Sequence, residues 1–85
     1  MASYRLFIKP SASEEIEGLP KQHRRKVVAK IQGLAKDPRP LGCERLSGHE
    51  QYRLRQGDYR ILYSIEDKDL IVAVVKVGYR KEVYR

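Results

Sequence analysis

Arginine and tyrosine side chains concentrate in two short segments of the C-terminal half of the sequence, 52–63 and 79–84. The residues of interest there are Arg53, Arg55 and Arg60 in the first segment, and Tyr79, Arg80, Lys81 and Tyr84 in the second. A guanidinium group presents paired donors that match the oxygens of a phosphate, and a tyrosine ring can stack on an unpaired base. If the fold brings the two segments together, these residue types predict a binding site for single-stranded RNA.

The spacing around Gly57 and Asp58 predicts how the first segment folds. Residues on either side alternate in polarity, and a Gly-Asp pair suits a two-residue II′ turn because glycine accepts a positive φ at the first position. In the resulting register Arg55 lies opposite Arg60, and Arg53 projects from the same face of the hairpin. Opposed like charges destabilise a sheet by a few tenths to about 1 kcal/mol. We therefore expect an anion, most naturally a phosphate, to complete this cluster.

The N-terminal part of the chain predicts a strand and a short helix. Residues Tyr4 to Lys9 alternate as a strand does, and Pro10 ends that strand. The stretch Ser11–Glu14 has the spacing of a capping box, so a helix is expected to begin there and to run to about Glu17.

A second, amphipathic helix is predicted after Pro20, and the segment Asp37–Pro40 terminates it. Its apolar face is formed by residues spaced three and four apart, namely Val27, Val28, Ile31, Leu34 and Ala35. Its other faces carry the basic residues Lys21, Arg25, Lys26, Lys30 and Lys36.

The last strand is predicted over Leu70 to Val77, which is apolar on both faces and rich in β-branched residues, as in a central or fully covered strand. It returns antiparallel to the hairpin, so its end brings segment 79–84 to the hairpin tip. The element order is strand, helix, helix, strand, strand, strand. This order predicts an α+β fold in which two N-terminal helices pack on one face of a small, mostly antiparallel sheet.

Length and charge limit the classes of protein that the chain can belong to. Eighty-five residues suffice for a single small domain, residues 1–85, and 41% hydrophobic residues are too many for a disordered basic tail. The net charge is +7, and residues 21–55 hold ten basic and three acidic side chains, so the whole surplus lies there. A clustered surplus of this kind predicts a polyanionic partner. The longest apolar run, Leu70 to Val75, is too short to span a membrane, so we expect a cytoplasmic protein.

The remaining polar residues do not form a conventional catalytic or metal site. His23 and His49 are expected at the surface, and Glu14, Glu15 and Glu17 are expected to be exposed residues of the first helix. A single cysteine, Cys43, excludes an internal disulfide and has no neighbouring cluster of metal ligands, so its role is unassigned.

Five blocks of the sequence together follow the pattern of one family: Tyr4–Ile8, Asp37–Pro40, Leu46–Gly48, Tyr52–Tyr63 and Lys76–Tyr84. The two C-terminal blocks are the most specific. The chain resembles, almost from end to end, the RelE branch of the RelE/ParE superfamily, which contains small basic toxins of bacterial and archaeal toxin–antitoxin pairs. The resemblance implies a RelE-like fold.

The resemblance also implies an activity, that of a metal-independent endoribonuclease that needs no cofactor and cuts messenger RNA in the ribosomal A site. In the mechanism proposed for such enzymes, the ribose 2′-hydroxyl attacks the adjacent phosphate and yields a 2′,3′-cyclic phosphate and a free 5′-hydroxyl. By position, Arg60 and Arg80 correspond to the cations that stabilise the transition state. Tyr84 corresponds to a C-terminal tyrosine proposed to transfer a proton or to stack on a base.

The same resemblance implies that the substrate is bound by Arg53, Arg55, Tyr79 and Lys81. Two of these positions differ from RelE. RelE itself has lysines at the positions of Arg53 and Arg55, and arginine effectively cannot lose its proton. These two residues can therefore bind phosphate but are poor general bases. Tyr79 stands where many relatives have histidine, so a group that could titrate near neutrality is absent.

The implied partners are a cognate antitoxin, which wraps around the toxin and inhibits it, and mRNA on the ribosome. DNA would be bound only indirectly through the antitoxin, and no membrane partner is expected. Two alternatives stay open. The chain could be a ParE-like toxin that poisons DNA gyrase without cutting RNA, or its basic cluster could serve only to dock an acidic antitoxin.

Overall fold

The computed structural model of the protein describes residues 3–46 and 51–83. Within them the element order is β1 (Arg5–Ile8), α1 (Pro10–Glu17), α2 (Lys21–Gly33), β2 (Glu44–Arg45), β3 (Gln51–Gln56), β4 (Tyr59–Glu66) and β5 (Ile71–Tyr79). The predicted succession of a strand, two helices and three strands is confirmed, and the two-residue strand β2 is an addition to it. Neither helix of the described part is long and apolar enough to cross a membrane.

The strands form one sheet in the order β1-β5-β4-β3-β2. β1 runs parallel to β5, whereas the other neighbouring pairs are antiparallel. Both helices pack on the same face of the sheet and share one hydrophobic core with it. The α+β fold with a mostly antiparallel sheet is therefore as predicted.

The core lies between the helices and the inner face of β3, β4 and β5. Its members are buried aliphatic residues and one tyrosine, namely Ala12, Ile16, Val27, Ile31, Leu34, Leu54, Ile61, Tyr63, Val72, Val74 and Val77. The predicted apolar face of α2 is confirmed, since Val27, Ile31 and Leu34 are at most 2% exposed and Val28 and Ala35 are half-buried at its margins. Burial of each such side chain favours folding by about 1.5–3 kcal/mol.

Helix α1 begins one residue earlier than the capping box predicts. Pro10 is its first residue, and Lys9 precedes the helix without a side-chain cap. Because the ring of Pro10 fixes φ at a helical value and lacks an N–H that would need an acceptor, proline can open the helix by itself. Ser11 therefore lies inside the first turn, and the predicted capping box at Ser11–Glu14 is wrong.

The loop after α2 is held to the sheet by a buried hydrogen bond. The hydroxyl of Tyr63 donates to the carbonyl oxygen of Pro38 at 2.8 Å. Burial raises the pKa of Tyr63, and the nearby Cys43 raises it further, so the phenol is a hydrogen-bond donor at neutral pH. This bond fixes the path of the chain between the helix layer and β2.

Strand β5 is central, as its apolar sequence predicts, but only one of its faces is covered. Val72, Val74 and Val77 are buried under the helices, whereas Ile71, Ala73 and Val75 are only half-buried. The second face of the sheet thus stays accessible within the described part of the chain.

Candidate nucleic-acid interface

The hairpin of β3 and β4 has the predicted register. Arg55 pairs with Arg60, Leu54 with Ile61, and Arg53 with Leu62. Gly57 has a φ of 59°, and no non-glycine residue of the turn has a positive φ, as the predicted II′ turn requires. Since Leu54 and Ile61 point into the core, Arg53, Arg55 and Arg60 project from the opposite surface of the sheet, here called the arginine face.

An internal carboxylate, which the sequence did not reveal, lies among these arginines. Strand β2 pairs with β3 so that Glu44 lies opposite Arg53. The carboxylate of Glu44 accepts a hydrogen bond from Nη2 of Arg53, and its other oxygen lies 4.0 Å from Nη2 of Arg55. The inference that an external anion must complete the cluster is therefore wrong. Counted over the described residues alone, the arginine face places this one carboxylate beside two of three guanidinium groups and so keeps a surplus of positive charge.

Arg60 is oriented by the turn itself. Its Nη1 donates to the carbonyl oxygens of Gly57 at 3.0 Å and of Tyr59 at 2.9 Å. Within residues 3–46 and 51–83 it forms no ion pair, and the donors on its other two nitrogens are not used by these bonds. The guanidinium group is thus held in place while part of its donor set can still bind an anion.

The end of β5 reaches the hairpin tip, as predicted. Gly78 pairs with Arg60, and the backbone N–H of Arg80 donates to the carbonyl oxygen of Asp58 at 2.8 Å. Arg80 and the neighbouring Lys81 are both exposed. Two arginines that lie 20 residues apart in the sequence, Arg60 and Arg80, therefore flank one turn.

After β5 the chain turns back over the arginine face. The N–H groups of Glu82 and Val83 both donate to the carbonyl oxygen of Tyr79, and Val83 is 4% exposed. A Cβ added to Gly78 would lie 3.1 Å from Cγ2 of Val83, so the glycine allows the turn to approach the strand closely. Tyr84, predicted as a catalytic residue, lies outside the described residues.

Tyr79 lies at the hairpin tip but on the helix side of the sheet. It pairs with Tyr59, and the two rings meet edge to face with centroids 5.8 Å apart. His23 of α2 packs against Tyr59 at 5.2 Å and is half-buried, which corrects its prediction as a plain surface residue. His49 lies outside the described residues. Tyr79 also lines a groove of about 360 Å³, next to the α1–α2 loop.

Glu15 was predicted to be an exposed helix residue, and this expectation is wrong. Its Oε1 accepts a hydrogen bond from the backbone N–H of Val77 at 3.0 Å, and its Oε2 accepts one from Nζ of Lys76 at 3.0 Å. The sequence gives no local signal for these contacts because the partners are more than sixty residues apart.

A further arginine, Arg39, belongs to a separate network at the other end of β4. Its guanidinium group binds the carboxylate of Asp67 at 2.8 Å and lies over the ring of Tyr52. Hydrogen bonds from Arg39 and then from the hydroxyl of Tyr4 lower the pKa of Asp67 to about 2. Because Arg39 is engaged in this way, we assign it to stability and not to the candidate interface.

The predicted patch of basic residues divides between two surfaces. The cations of α2 and the loop that follows it (Lys21, Arg25, Lys26, Lys30 and Lys36) are exposed on the helix layer, whereas Arg53 and Arg55 of the same predicted patch lie across the sheet from them. No three His, Cys, Asp or Glu side chains of the described residues cluster closely enough to hold a metal ion.

Comparison with known proteins identifies relatives over almost the whole chain. A family model described as the ParE toxin of the type II toxin–antitoxin system parDE matches residues 6–84. No curated protein sequence matches the chain.

Solved structures of RelE toxins are similar in both fold and sequence. The archaeal RelE–RelB complex from Pyrococcus horikoshii OT3 superposes with a TM-score of 0.84 at 30% identity, covering 94% of this chain and 98% of that one. A mutant of the E. coli toxin RelE in the free state gives 0.77 at 29% identity, with 99% and 92% covered. The intact E. coli RelBE toxin–antitoxin complex gives 0.77 at 28% identity, with 91% and 96% covered. The chain therefore belongs to the RelE/ParE superfamily, on its RelE branch, and is the toxin of a type II toxin–antitoxin system.

Proposed function

We propose that this toxin is a ribosome-dependent endoribonuclease that cleaves mRNA in the ribosomal A site and thereby inhibits translation in the cytoplasm. The observation that carries the proposal is the convergence of Arg60 and Arg80 at the hairpin tip, where Gly78 pairs with Arg60 and Arg80 binds Asp58 through its backbone. Two guanidinium groups at one turn can bind the non-bridging oxygens of a phosphodiester from two sides.

The proposed reaction needs no metal or cofactor. The ribose 2′-oxygen forms a bond to phosphorus as it loses its proton, and the bond from phosphorus to the 5′-oxygen breaks as that oxygen gains one. Negative charge grows on the phosphoryl oxygens during this step, and Arg60 and Arg80 stabilise it. Tyr84 acts as the proton-transfer group or stacks on a base.

Four further residues bind the substrate in this proposal: Arg53, Arg55, Tyr79 and Lys81. Arg53 and Arg55 attract the RNA backbone to the arginine face by their positive charge. They cannot act as general bases at any pH at which the protein is folded. Tyr79 offers a ring that is 37% exposed beside Arg80.

A cognate antitoxin is the proposed regulator. The structures from Pyrococcus horikoshii and the intact E. coli complex contain a RelE toxin together with its RelB antitoxin. A domain with a net charge of +7 and an uncovered sheet face gains stability when an acidic segment covers it. Operator DNA would be reached only through the antitoxin.

The test is primer extension on a translated message with purified ribosomes, with and without the toxin. We expect new 5′ ends within the codon that occupies the A site, and none when ribosomes are omitted. Arg80→Ala should abolish these ends, whereas Lys68→Ala, which removes an exposed cation at the far end of β4, should leave them unchanged. Intact message in the presence of folded wild-type toxin and ribosomes would refute the proposal.

A second candidate, poisoning of DNA gyrase, is favoured by one finding, because the matching family model is that of the ParE toxin. A supercoiling assay with purified gyrase separates the two. Inhibition of gyrase together with intact message would establish this alternative in place of RNA cleavage.

A further inference from the structure

In the part of the chain that the structure describes, one edge of β5 has no neighbouring strand along its C-terminal half. β1 pairs with β5 only from Ile71 to Val74, whereas β4 continues along the opposite edge as far as Tyr79. This open half leads directly into Arg80. A strand edge exposes backbone donors and acceptors that need hydrogen-bond partners. Where such partners are missing, the strand is free to shift.

The side chain of Glu15 occupies the place where the next residues of β1 would lie. Its carboxylate accepts from the N–H of Val77 and from Nζ of Lys76, both at 3.0 Å. Helix α1 is itself anchored by the buried Ala12 and Ile16, so a rigid element and not a loop carries this carboxylate. The side chains of Glu15 and Lys76 are 31% and 36% exposed, which shields the contacts partly from water.

We propose that Glu15 is a positioning residue for RNA cleavage, an inference that rests on the proposed function. Its carboxylate substitutes for a neighbouring strand at Val77 and fixes the end of β5 against α1. The bond between Arg80 and Asp58 fixes that end on its other side. Val77 lies three residues before Arg80, about 10 Å of extended chain, so the two anchors together set the position of Arg80 relative to Arg60.

Glu15 acts through the strand and does not touch the phosphate. Its carboxylate is carried by α1 and is occupied by the N–H of Val77 and by Nζ of Lys76, whereas Arg60 projects from the arginine face. Its removal should therefore slow the chemical step without weakening RNA binding. A displacement of about 1 Å in a catalytic group can cost up to a hundredfold in rate.

The experiment measures single-turnover cleavage of ribosome-bound mRNA over a range of toxin concentrations. For Glu15→Ala we expect the rate at saturating toxin to fall by about tenfold to a hundredfold, while the half-saturating concentration stays unchanged. Hydrogen exchange of the Val77 amide should become faster in the same variant because its acceptor is gone.

Three matched variants separate the contributions. Glu15→Gln keeps an oxygen that can accept from Val77 but loses the ion pair, so it should retain more activity than Glu15→Ala and remains informative if Glu15→Ala does not fold. Lys76→Met removes the ion pair alone and should cleave nearly as fast as wild type. Glu14→Ala makes the same charge change at an exposed site of α1 and should have no effect.

Two results would overturn the inference while leaving the proposed function intact. The first is cleavage by Glu15→Ala at the wild-type rate although its Val77 amide exchanges faster. The second is a loss that comes only from a higher half-saturating concentration, which would make Glu15 a binding determinant. Absence of cleavage by wild-type toxin would overturn the proposed function, and this inference with it.

Discussion

The substitution Glu44→Gln tests how the arginine face balances its charges. Glu44 binds Arg53, whose side chain is 19% exposed, and lies near Arg55, whose side chain is 62% exposed. The hydrogen-bonded pair with Arg53 should contribute about 1 kcal/mol, the low end for a charged pair because the carboxylate itself is half exposed. The pair with Arg55 should contribute only about 0.3 kcal/mol. We expect Glu44→Gln to lower the free energy of unfolding by about 1–1.5 kcal/mol in all.

Removal of the carboxylate should also change how the toxin responds to anions. Arg53 and Arg55 then lose the carboxylate of Glu44, so phosphate should stabilise the variant more than wild type, because it binds the folded state alone. Sodium chloride at the same ionic strength only screens the charges and should restore less stability. Affinity for a short single-stranded RNA should rise, and the slope of log affinity against log salt should steepen by about 0.7.

Urea unfolding at pH 7, with and without phosphate, measures the change in stability and its response to phosphate. RNA binding at several salt concentrations measures the change in RNA affinity and in its salt dependence. Glu17→Gln is the control, because it makes the same charge change at an exposed position of α1. The electrostatic reasoning would be refuted if Glu44→Gln matched the control in stability, in response to phosphate and in RNA affinity.

Three further predictions concern Asp67, Tyr63 and Gly78. The pKa of Asp67 is lowered to about 2 by its arginine and tyrosine partners, so its ion pair contributes stability that is present above 3.8, the pKa of an unfolded aspartate, and is lost as the pH falls from there toward 2. Urea unfolding between pH 7 and pH 2 should show this loss of stability in wild type and a weaker loss in Asp67→Asn. Tyr63→Phe leaves the buried carbonyl oxygen of Pro38 without its donor and should lower the free energy of unfolding by about 1–2 kcal/mol, measured by the same method; an unchanged value would contradict the buried bond. Gly78→Ala places a Cβ 3.1 Å from Val83 and should displace the C-terminal turn, which would reduce mRNA cleavage in primer extension while the helical circular dichroism signal stays unchanged.

The hairpin shows what can be predicted from local patterns. The Gly57-Asp58 pair fixes the turn type, and the turn type with the alternation around it fixes the register, so the common face of Arg53, Arg55 and Arg60 follows from the sequence alone. The helix order, the α+β class and the apolar face of α2 follow in the same way from periods of 3.6 and 2 residues.

The errors have two physical causes. A two-residue strand such as β2 is too short to show alternation, so the sequence alone does not place Glu44 beside Arg53 and Arg55. Glu15 has its partners far along the chain, and neither helix propensity nor spacing carries that information. The start of α1 was misplaced because two local signals, Pro10 and the spacing of Ser11 to Glu14, competed for the same helix start.

The sequence by itself determined the order of the predicted elements, the buried faces of α2 and of the hairpin, the hairpin register and the concentration of positive charge, because each depends on neighbours within a few residues or on composition. The tertiary structure decided which carboxylate lies among the arginines, which side of the sheet Tyr79 occupies, and how the end of β5 is held beside Arg60. Those outcomes depend on how the helix layer and strands β1 and β2 are placed against the sheet. That placement is set by packing between residues distant in sequence, which no local pattern records.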